Sequence, residues 1–548
     1  MLDALDLSHI SDERTRDLVR QLLNLIETVT ADLRAAQTEN QRLRDEINRL
    51  KGEQGKPTIK PKRPPASSDH SSEQERKQPR EHVKRAKNAT LRVDRQQTLT
   101  VDSATLPPDA EFKGYEDVLV QDLILQTDNV CFHKETYFAP STGRTYRAPL
   151  PAGYSGEFGP GIKALTLVFY YASQMSEPKI LEFLEHAGVQ ISAGTISNLL
   201  IKHQEAFHHE QQAAYLAGLR SSPWQHIDDT ATRVNGHNQH CHIVCNPLHT
   251  TYRTTPAKDR LTIIDVLSAG RARTFRMDDD ALAYLDALGV SQVRRQQVLR
   301  LPRDQTMDEP TLLALLDMHM PGVGTQTRKW VMEALAVSAY HAQSEVSVVQ
   351  LLVCDDAPQF QWVTDDVALC WVHAGRHYKK LTPCVALHQQ QVEAFLKEFW
   401  GYYHELRRYQ EQPTTEERRR LEAGFDRLFA QRAGYRALDE RIVLTRAKKA
   451  QLLMVLEHPE IPLHNNAAEL GARQRVRKRD VSFGPRTAEG VAAWDTFMSL
   501  AATTKKLGVS FYQYIHDRIC GLNQVPHLAD IIDAQARNLN LRGSWSTS

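Results

Sequence analysis

Residues 346–356, VSVVQLLVCDD, decide the fold. The run is apolar almost throughout, interrupted only by Ser347 and Gln350, and it stops at two acids, Asp355 and Asp356. Continuous apolarity over so short a length reads as a strand covered by helices on both faces. Such a strand belongs to the middle of an α/β sheet.

Upstream lie the partners that strand needs. PWQHIDDTATRV (223–234) reads as a strand, Asn235-Gly236 as a two-residue hairpin turn, and QHCHIVCNP (239–247) and TTYRTTP (250–256) as two further strands. A helix follows in LTIIDVLSAG (261–270). Strand, hairpin, strand, helix and then a buried strand is the order of a ribonuclease-H-like sheet. In that layout acids at the ends of the first and central strands meet a third from a later helix.

The third acid is Glu469, within PLHNNAAELGARQRVRKRDVSFGPR (462–486). It follows Asn465 and Asn466 and precedes Arg473, Arg475, Arg477, Lys478 and Arg479. A carboxylate beside dense positive charge suits a polyanionic partner with a metal between them. Asp228, Asp355 and Glu469 are therefore the expected catalytic and metal-binding residues. Neighbours on a strand point to opposite faces, so only one of Asp228 and Asp229 faces the site, and Asp356 is the alternative to Asp355. Three carboxylates repel one another until a cation joins them, and oxygen-only donors select Mg2+ or Mn2+. Each acid also has a structural reading: aspartate doublets form turns and caps, and Glu469 and Arg473 are spaced to pair on one helix face. Asn465 and Asn466 read as caps of that helix or as active-site support. His373 and Arg376 in CWVHAGRHYKKL (370–381) read as site support or as packing. The arginines and Lys478 read as phosphate ligands.

The chain has 548 residues, seven cysteines and a formal net charge of +1. An odd, scattered set of cysteines excludes a disulfide framework and fits a reducing, cytoplasmic setting. Cys241 and Cys245 alternate along a strand, and Cys370 with His373 lacks a second pair for zinc. No apolar run reaches membrane-spanning length, and the acidic N-terminus MLDALDLSHISDERTRDLV has no signal-peptide core.

Residues 1–52 read as a dimerising coiled coil. Leu22, Val29, Ala36, Leu43 and Leu50 occupy d, and Ile26, Leu33, Asn40 and Ile47 occupy a; a single Asn at a specifies a parallel homodimer. The alternative is one amphipathic helix packed on its own chain. Residues 53–105 read as a basic flexible linker, with Lys84, Arg85, Lys87, Arg92 and Arg95. Residues 106–215 hold strand-like runs (VLVQDLIL, CFHKETYFA, TYRAPLP) and helices at 162–174, 178–188 and 192–207. The last two make a helix-turn-helix-like, mainly helical DNA-binding region exposing Thr195, Ser197, Asn198 and Lys202, or a plain helical hairpin. The core's first part is 216–270, a helical insertion is 271–345, and the second part is 346–508 with a helical insertion at 387–457. Helices at 387–411, 415–432, 443–457, 464–479, 489–507 and 509–521 follow, the last opening a C-terminal helix and tail of 509–548 whose end, RNLNLRGSWSTS, reads as disordered.

Three motifs give this α/β multidomain chain a resemblance to the IS66-family DDE transposases. They are His226-Ile-Asp228-Asp229-Thr230, Asp355-Asp356-Ala-Pro-Gln-Phe360 followed by Cys370-Trp371-x-His373-x-x-Arg376, and His464-Asn465-Asn466-Ala-Ala-Glu469 with Arg473. His464 stands where the family has Asp, and the family's cysteine-rich region is reduced to Cys131. The resemblance implies an enzyme that cuts the 3′ ends of an insertion element and joins them to target DNA by two-metal phosphoryl transfer. It implies element ends, target DNA and a second protomer as partners, with room for element-encoded accessory proteins. A catalytically inactive DNA-binding dimer and a nuclease without strand transfer are the competing readings.

Overall fold

The computed structural model describes Leu7, residues 10–51 and residues 91–545. The linker expected at 53–105 therefore lies, up to residue 90, outside the described residues. In chain order the helices are α1 (Glu13–Leu50), α2 (Pro160–Leu167), α3 (Glu177–His186), α4 (Ala193–Ile201), α5 (Glu205–Arg220), α6 (Arg260–Leu267), α7 (Asp279–Ala287), α8 (Gln292–Val298), α9 (Glu309–His319), α10 (Thr325–Ala342), α11 (Trp371–Lys379), α12 (Ala386–Glu411), α13 (Thr415–Leu428), α14 (Arg436–Arg446), α15 (Lys449–Leu452), α16 (Asn466–Ser482), α17 (Ala488–Leu507), α18 (Phe511–Cys520) and α19 (Leu528–Asn538). The strands are β1 (Thr136–Ala139), β2 (Arg144–Arg147), β3 (Trp224–Val234), β4 (His237–Cys245), β5 (Thr250–Thr255), β6 (Phe275–Arg276), β7 (Thr306–Met307), β8 (Leu351–Cys354) and β9 (Asp366–Leu369).

The central sheet is mixed, in the order β5-β4-β3-β8-β9. β3, β4 and β5 form an antiparallel meander, and β8 and β9 run parallel to β3. Asn235 and Gly236 both hold positive φ, 48° and 80°, as the expected Asn-Gly turn requires. β8 is buried along its whole length, as its composition demands, though the paired part is shorter than the apolar run that announced it.

Helix α17 closes the β5 edge without supplying a strand. Thr503 Oγ1, Ser499 Oγ and Asp495 Oδ2 accept from the backbone N–H groups of Thr250, Tyr252 and Thr254 at 3.1, 2.9 and 2.6 Å. A spacing of four along a helix matches a spacing of two along a strand closely enough for three successive bonds. An edge that would otherwise invite another chain is thus satisfied from within.

Helix α16 lies against β3 and β4. A Cβ at Gly471 would sit 2.7 Å from Ile243 Cγ2, so only glycine allows this approach. Tyr252 Oη donates to the Gly471 carbonyl at 3.2 Å and fixes the contact.

Several elements differ from the sequence reading. VLVQDLIL (118–125) joins no ladder, because nothing pairs with it; only β1 and β2 form a hairpin in that region. The helix read at 192–207 breaks at Lys202–Gln204, where His203 takes a φ of 59°, and α5 begins a separate, largely buried helix. The helix read at 443–457 starts earlier, at Arg436, and ends at Arg446 before short turns. Strand β9, helix α19 and the small β6–β7 sheet within the mostly helical 271–345 segment were not anticipated. The tail read as disordered is packed up to Trp545, which stacks on His458 at 3.7 Å, while Ser544 donates to Glu460 at 2.7 Å. Among the described residues no helix is long and apolar enough to cross a membrane.

Helix α1 is continuous over 38 residues and docks on the α12–α14 region, burying Leu23 and Glu27. Glu27 is buried at the start of α12, where it accepts from the backbone N–H groups of Cys384 (2.9 Å) and Val385 (2.8 Å) and from His388 Nδ1 (3.1 Å). Asn24 donates to the Gly434 carbonyl at 2.9 Å and Arg34 to the Thr382 carbonyl at 3.2 Å. A carboxylate on the first N–H groups of a helix is favoured by the helix dipole and by charge-assisted bonding. The heptad residues Leu22, Ile26, Val29, Leu33, Leu43 and Ile47 remain exposed. Replacing Glu27 with Ala should free α1, so amide exchange over 13–50 should approach that of an isolated helix while the central sheet keeps its protection.

Candidate active site

The β3–β8 ladder ends at His226↔Val353. Two residues farther along the chain stand Asp228, on β3, and Asp355, one residue past the end of β8. Side chains in register on parallel neighbours share a face, and a step of two returns to it, so both acids leave the sheet on the same side. Each is held by a local turn bond: Asp228 Oδ1 accepts from the Asp229 N–H at 2.9 Å, and Asp355 Oδ1 from the Ala357 N–H at 3.1 Å.

The second acid of each doublet is engaged by side chains. Asp229 is taken up by Gln359 Nε2 at 2.8 Å and Lys258 Nζ at 3.4 Å. Asp356 is ion-paired with Lys448. Asp228 feels the charges of Asp355, Asp229 and Glu469; burial first, and then Asp355, push its carboxyl from the usual 3.8 up to about 7.

Glu469 reaches the same cleft from the first turn of α16, and Asn465 holds that turn in place. Asn465 is wholly buried. Its Nδ2 donates to the Ile227 carbonyl at 2.7 Å, so its Oδ1 accepts from His226 Nδ1 at 2.9 Å. Its backbone N–H donates to Cys370 Sγ at 3.3 Å, and its carbonyl receives the Glu469 N–H at 3.1 Å. Asn465 does occupy the N-cap position, but its side chain makes no capping bond, because it is spent on β3. Asn466 opens the helix and is buried. His226, unassigned in the sequence reading beyond its place in the motif, is the counterpart of Asn465; burial lowers its pKa to about 3 and keeps it neutral. Its position two residues before Asp228, on the same face, was the available signal.

Around Glu469 lie Arg376 at 3.1 Å, Arg473 at 3.5 Å and His373 Nδ1 at 3.6 Å. Arg376 Nη1 is 2.9 Å from His373 Nε2. Arginine can only donate, so Nε2 accepts, and a neutral His373 carries its proton on Nδ1, toward Glu469. Cys370, His373 and Glu469 offer ligand atoms within 4.8 Å of one another. Burial pushes the Cys370 thiol up to about 11, and a cation held there would have to displace that proton and the one on His373 Nδ1.

Asp228 and Glu469 open onto a cleft of about 480 Å³, also lined by Asp229, Thr230, His373, Arg376, Arg473 and Arg477. The basic stripe therefore divides. Arg473 and Arg477 are exposed along this cleft. Arg479 donates to the Ala231 carbonyl at 2.6 Å. Arg475 and Lys478, expected to meet phosphate, are buried instead. Arg475 pairs with Asp495 at 3.3 Å, donates to Thr254 Oγ1 at 2.8 Å and lies over Trp494 at 4.8 Å. Lys478 lies 3.1 Å from the centre of the Tyr170 ring and donates to the Met175 carbonyl at 3.2 Å; burial lowers its pKa to about 7. Both point at the helices covering α16, away from the cleft. Thr195, Ser197, Asn198 and Lys202, on and just after α4, do not line the cleft; Thr195 and Ser197 are half-buried, and Lys202 is paired with Glu489.

The model of the transposase IS66 family matches residues 155–296 and 341–493, which include all three motifs. A protein of Sinorhizobium fredii (strain NBRC 101917 / NGR234), described as uncharacterized protein y4jO, is 33% identical over 327 residues, covering 58% of this chain and 99% of that protein. No solved structure matches the chain.

Two outcomes follow from this geometry. The raised carboxyl of Asp228 stabilises the fold only while it stays protonated, so its contribution is present below pH 3.8 and is lost as pH rises toward about 7. Asp228→Asn should therefore melt higher than the parent at pH 8 and lose that advantage near pH 4. Arg475→Ala should cost about 3–5 kcal/mol, because it strands Asp495 in the interior, whereas Arg477→Ala should leave the denaturation midpoint unchanged.

Proposed function

The chain belongs to the IS66 family of transposases, and from that premise we propose that it is a DDE-type DNA transposase with Asp228, Asp355 and Glu469 as its catalytic carboxylates. The carrying observation is that Asp228 and Glu469 line one cleft, with Asp355 beside them at the end of the neighbouring parallel strand; burial and then Asp355 raise the Asp228 carboxyl to about 7, with Glu469 adding to the effect. The sheet order β5-β4-β3-β8-β9, antiparallel and then parallel, supports reading the core as ribonuclease-H-like.

The donor set fits divalent cations. Asp228, Asp355 and Glu469 supply only oxygen, and their mutual repulsion is the kind a bound cation relieves. Mg2+ or Mn2+ held there would acidify the attacking water or hydroxyl and stabilise the leaving oxygen. The chain's own groups do the rest. Arg473 and Arg477 bind backbone phosphates along the cleft. Arg376 and His373 hold Glu469 in one orientation, and Asn465 keeps the α16 start against β3. A water first opens the phosphodiester at each 3′ end of the element and leaves a 3′-hydroxyl. That hydroxyl then attacks a phosphodiester of the target, forming one P–O bond as another breaks. The order of domains proposed for this work is a DNA-binding region at 106–215 and a split core at 216–270 and 346–508, in the cytoplasm.

Two ends must be cut and joined together, which calls for two protomers. The exposed a and d residues of α1 support a parallel homodimer. In that register Glu39 of one copy meets Arg44 of the other, and Glu46 meets Lys51, so the flanking charges agree with the apolar seam.

Labelled element ends with Mg2+ test the proposal. The parent should cut and join. Asp355→Asn should bind the ends with unchanged affinity and lower cutting by a factor of 10³ or more, on the order of the roughly 4 kcal/mol that a lost metal-centred stabilisation costs. Joining that persists in this variant would refute the assignment. Binding without cutting by the parent would favour the inactive dimer, and cutting without joining would favour a simple nuclease.

A further inference from the structure

The other flank of α11 carries cations that the site as described does not use. Helices α11 and α14 are tied together by Tyr378, whose hydroxyl donates to Thr445 Oγ1 at 2.6 Å and to the Arg441 carbonyl at 3.4 Å. Between them is a second depression lined by Asp356, His373, His377, Arg441, Leu444 and Lys448. His373 lines this depression and the carboxylate cleft alike, so the two adjoin across one side chain.

Most basic residues of this region have acidic partners. Arg418 pairs with Glu422, Arg420 with Glu417, Lys449 with Asp426 and Lys448 with Asp356. Arg441 and Lys380 differ: among the described residues neither has a carboxylate within ion-pair distance. Their charges fall on His377, whose pKa burial and these two cations together lower. Two like charges thus converge on one half-buried imidazole, with Asp355 acting in the opposite sense. Val443 and Leu444 beside them are exposed, at 60% and 51%. Cations without an acidic partner and an apolar shelf, adjoining a site for phosphodiester chemistry, match the sugar–phosphate backbone of a nucleic acid.

We propose that α11 and α14 form a second phosphate-binding wall, in which Arg441 and Lys380 grip the DNA backbone flanking the reacting bond, on the opposite flank of α11 from Arg473 and Arg477. This rests on the reading of the carboxylate cleft as a DNA site. It divides the DNA between two basic surfaces, one on α16 and one on α14, with the acids between them.

The test uses the full-length Asp355→Asn protein, so that DNA is bound and not cut, and a fluorescent duplex carrying an element end. Affinity is measured across a series of salt concentrations. Removing Arg441 and Lys380 together by alanine should weaken binding and make the plot of log K against log salt shallower by about 1.8, roughly 0.9 for each phosphate that is no longer neutralised. Arg441→Lys with Lys380→Arg should keep the parental slope. Arg473→Ala with Arg477→Ala is measured in parallel. A slope changed only in that second pair overturns the proposal and leaves the cleft's DNA reading standing. A slope changed in neither overturns both. Should the double alanine variant melt early, Arg441→Gln with Lys380→Gln provides the same comparison.

Discussion

The architecture turns on the buried amide of Asn465. It is the point at which a strand, a turn and a helix are made to agree. Nδ2 and Oδ1 are both satisfied by β3, through the Ile227 carbonyl and His226 Nδ1. The backbone N–H is satisfied by Cys370 at the start of α11, and the carbonyl by Glu469. A buried amide with every group engaged tolerates only one arrangement of its neighbours, since each broken bond leaves a polar atom stranded. The three acids and their supporting His373 and Arg376 come from segments that are distant in sequence, and this one side chain brings their backbones into register.

The polar interior extends beyond that clamp. Asp495 serves two masters: it accepts from the Thr254 backbone at the sheet edge and pairs with Arg475 from α16. The helix that seals β5 is thereby the helix that anchors the back of α16. Lys478 completes the anchor by lying on the Tyr170 ring. The front of α16 is left free for Arg473 and Arg477. A helix charged on all sides can be buried on one of them because its rear charges meet an acid, two aromatic rings and carbonyl oxygens.

Much of the sheet was legible from the chain. An apolar run too short for a helix, an Asn-Gly pair with positive φ at both residues, and alternation around His226 and Asp228 each have a local physical cause, and local causes survive folding. The partners of Asp229 and Asp356 were not legible, because Gln359, Lys258 and Lys448 are distant in sequence. The cationic stripe misled for the same reason. Arg475 and Lys478 look like Arg473 and Arg477 until Asp495, Trp494 and Tyr170 are placed behind them. The tail failed differently: Trp545 and Ser544 sit in polar, turn-rich sequence, and only the pocket beside His458 and Glu460 gives them a reason to settle.

Helix α1 presents two unlike sides. Its rear is riveted to the start of α12 by Glu27, and its front shows a row of aliphatic side chains to the solvent. A rod fastened this way behaves as a strut and not as a leash. Whatever mates with the front inherits the bearing of the whole body behind it. Two such bodies joined front to front would hold their clefts at a set span and angle, and the spacing of the two cuts would be written into the protein like the jaws of a gauge.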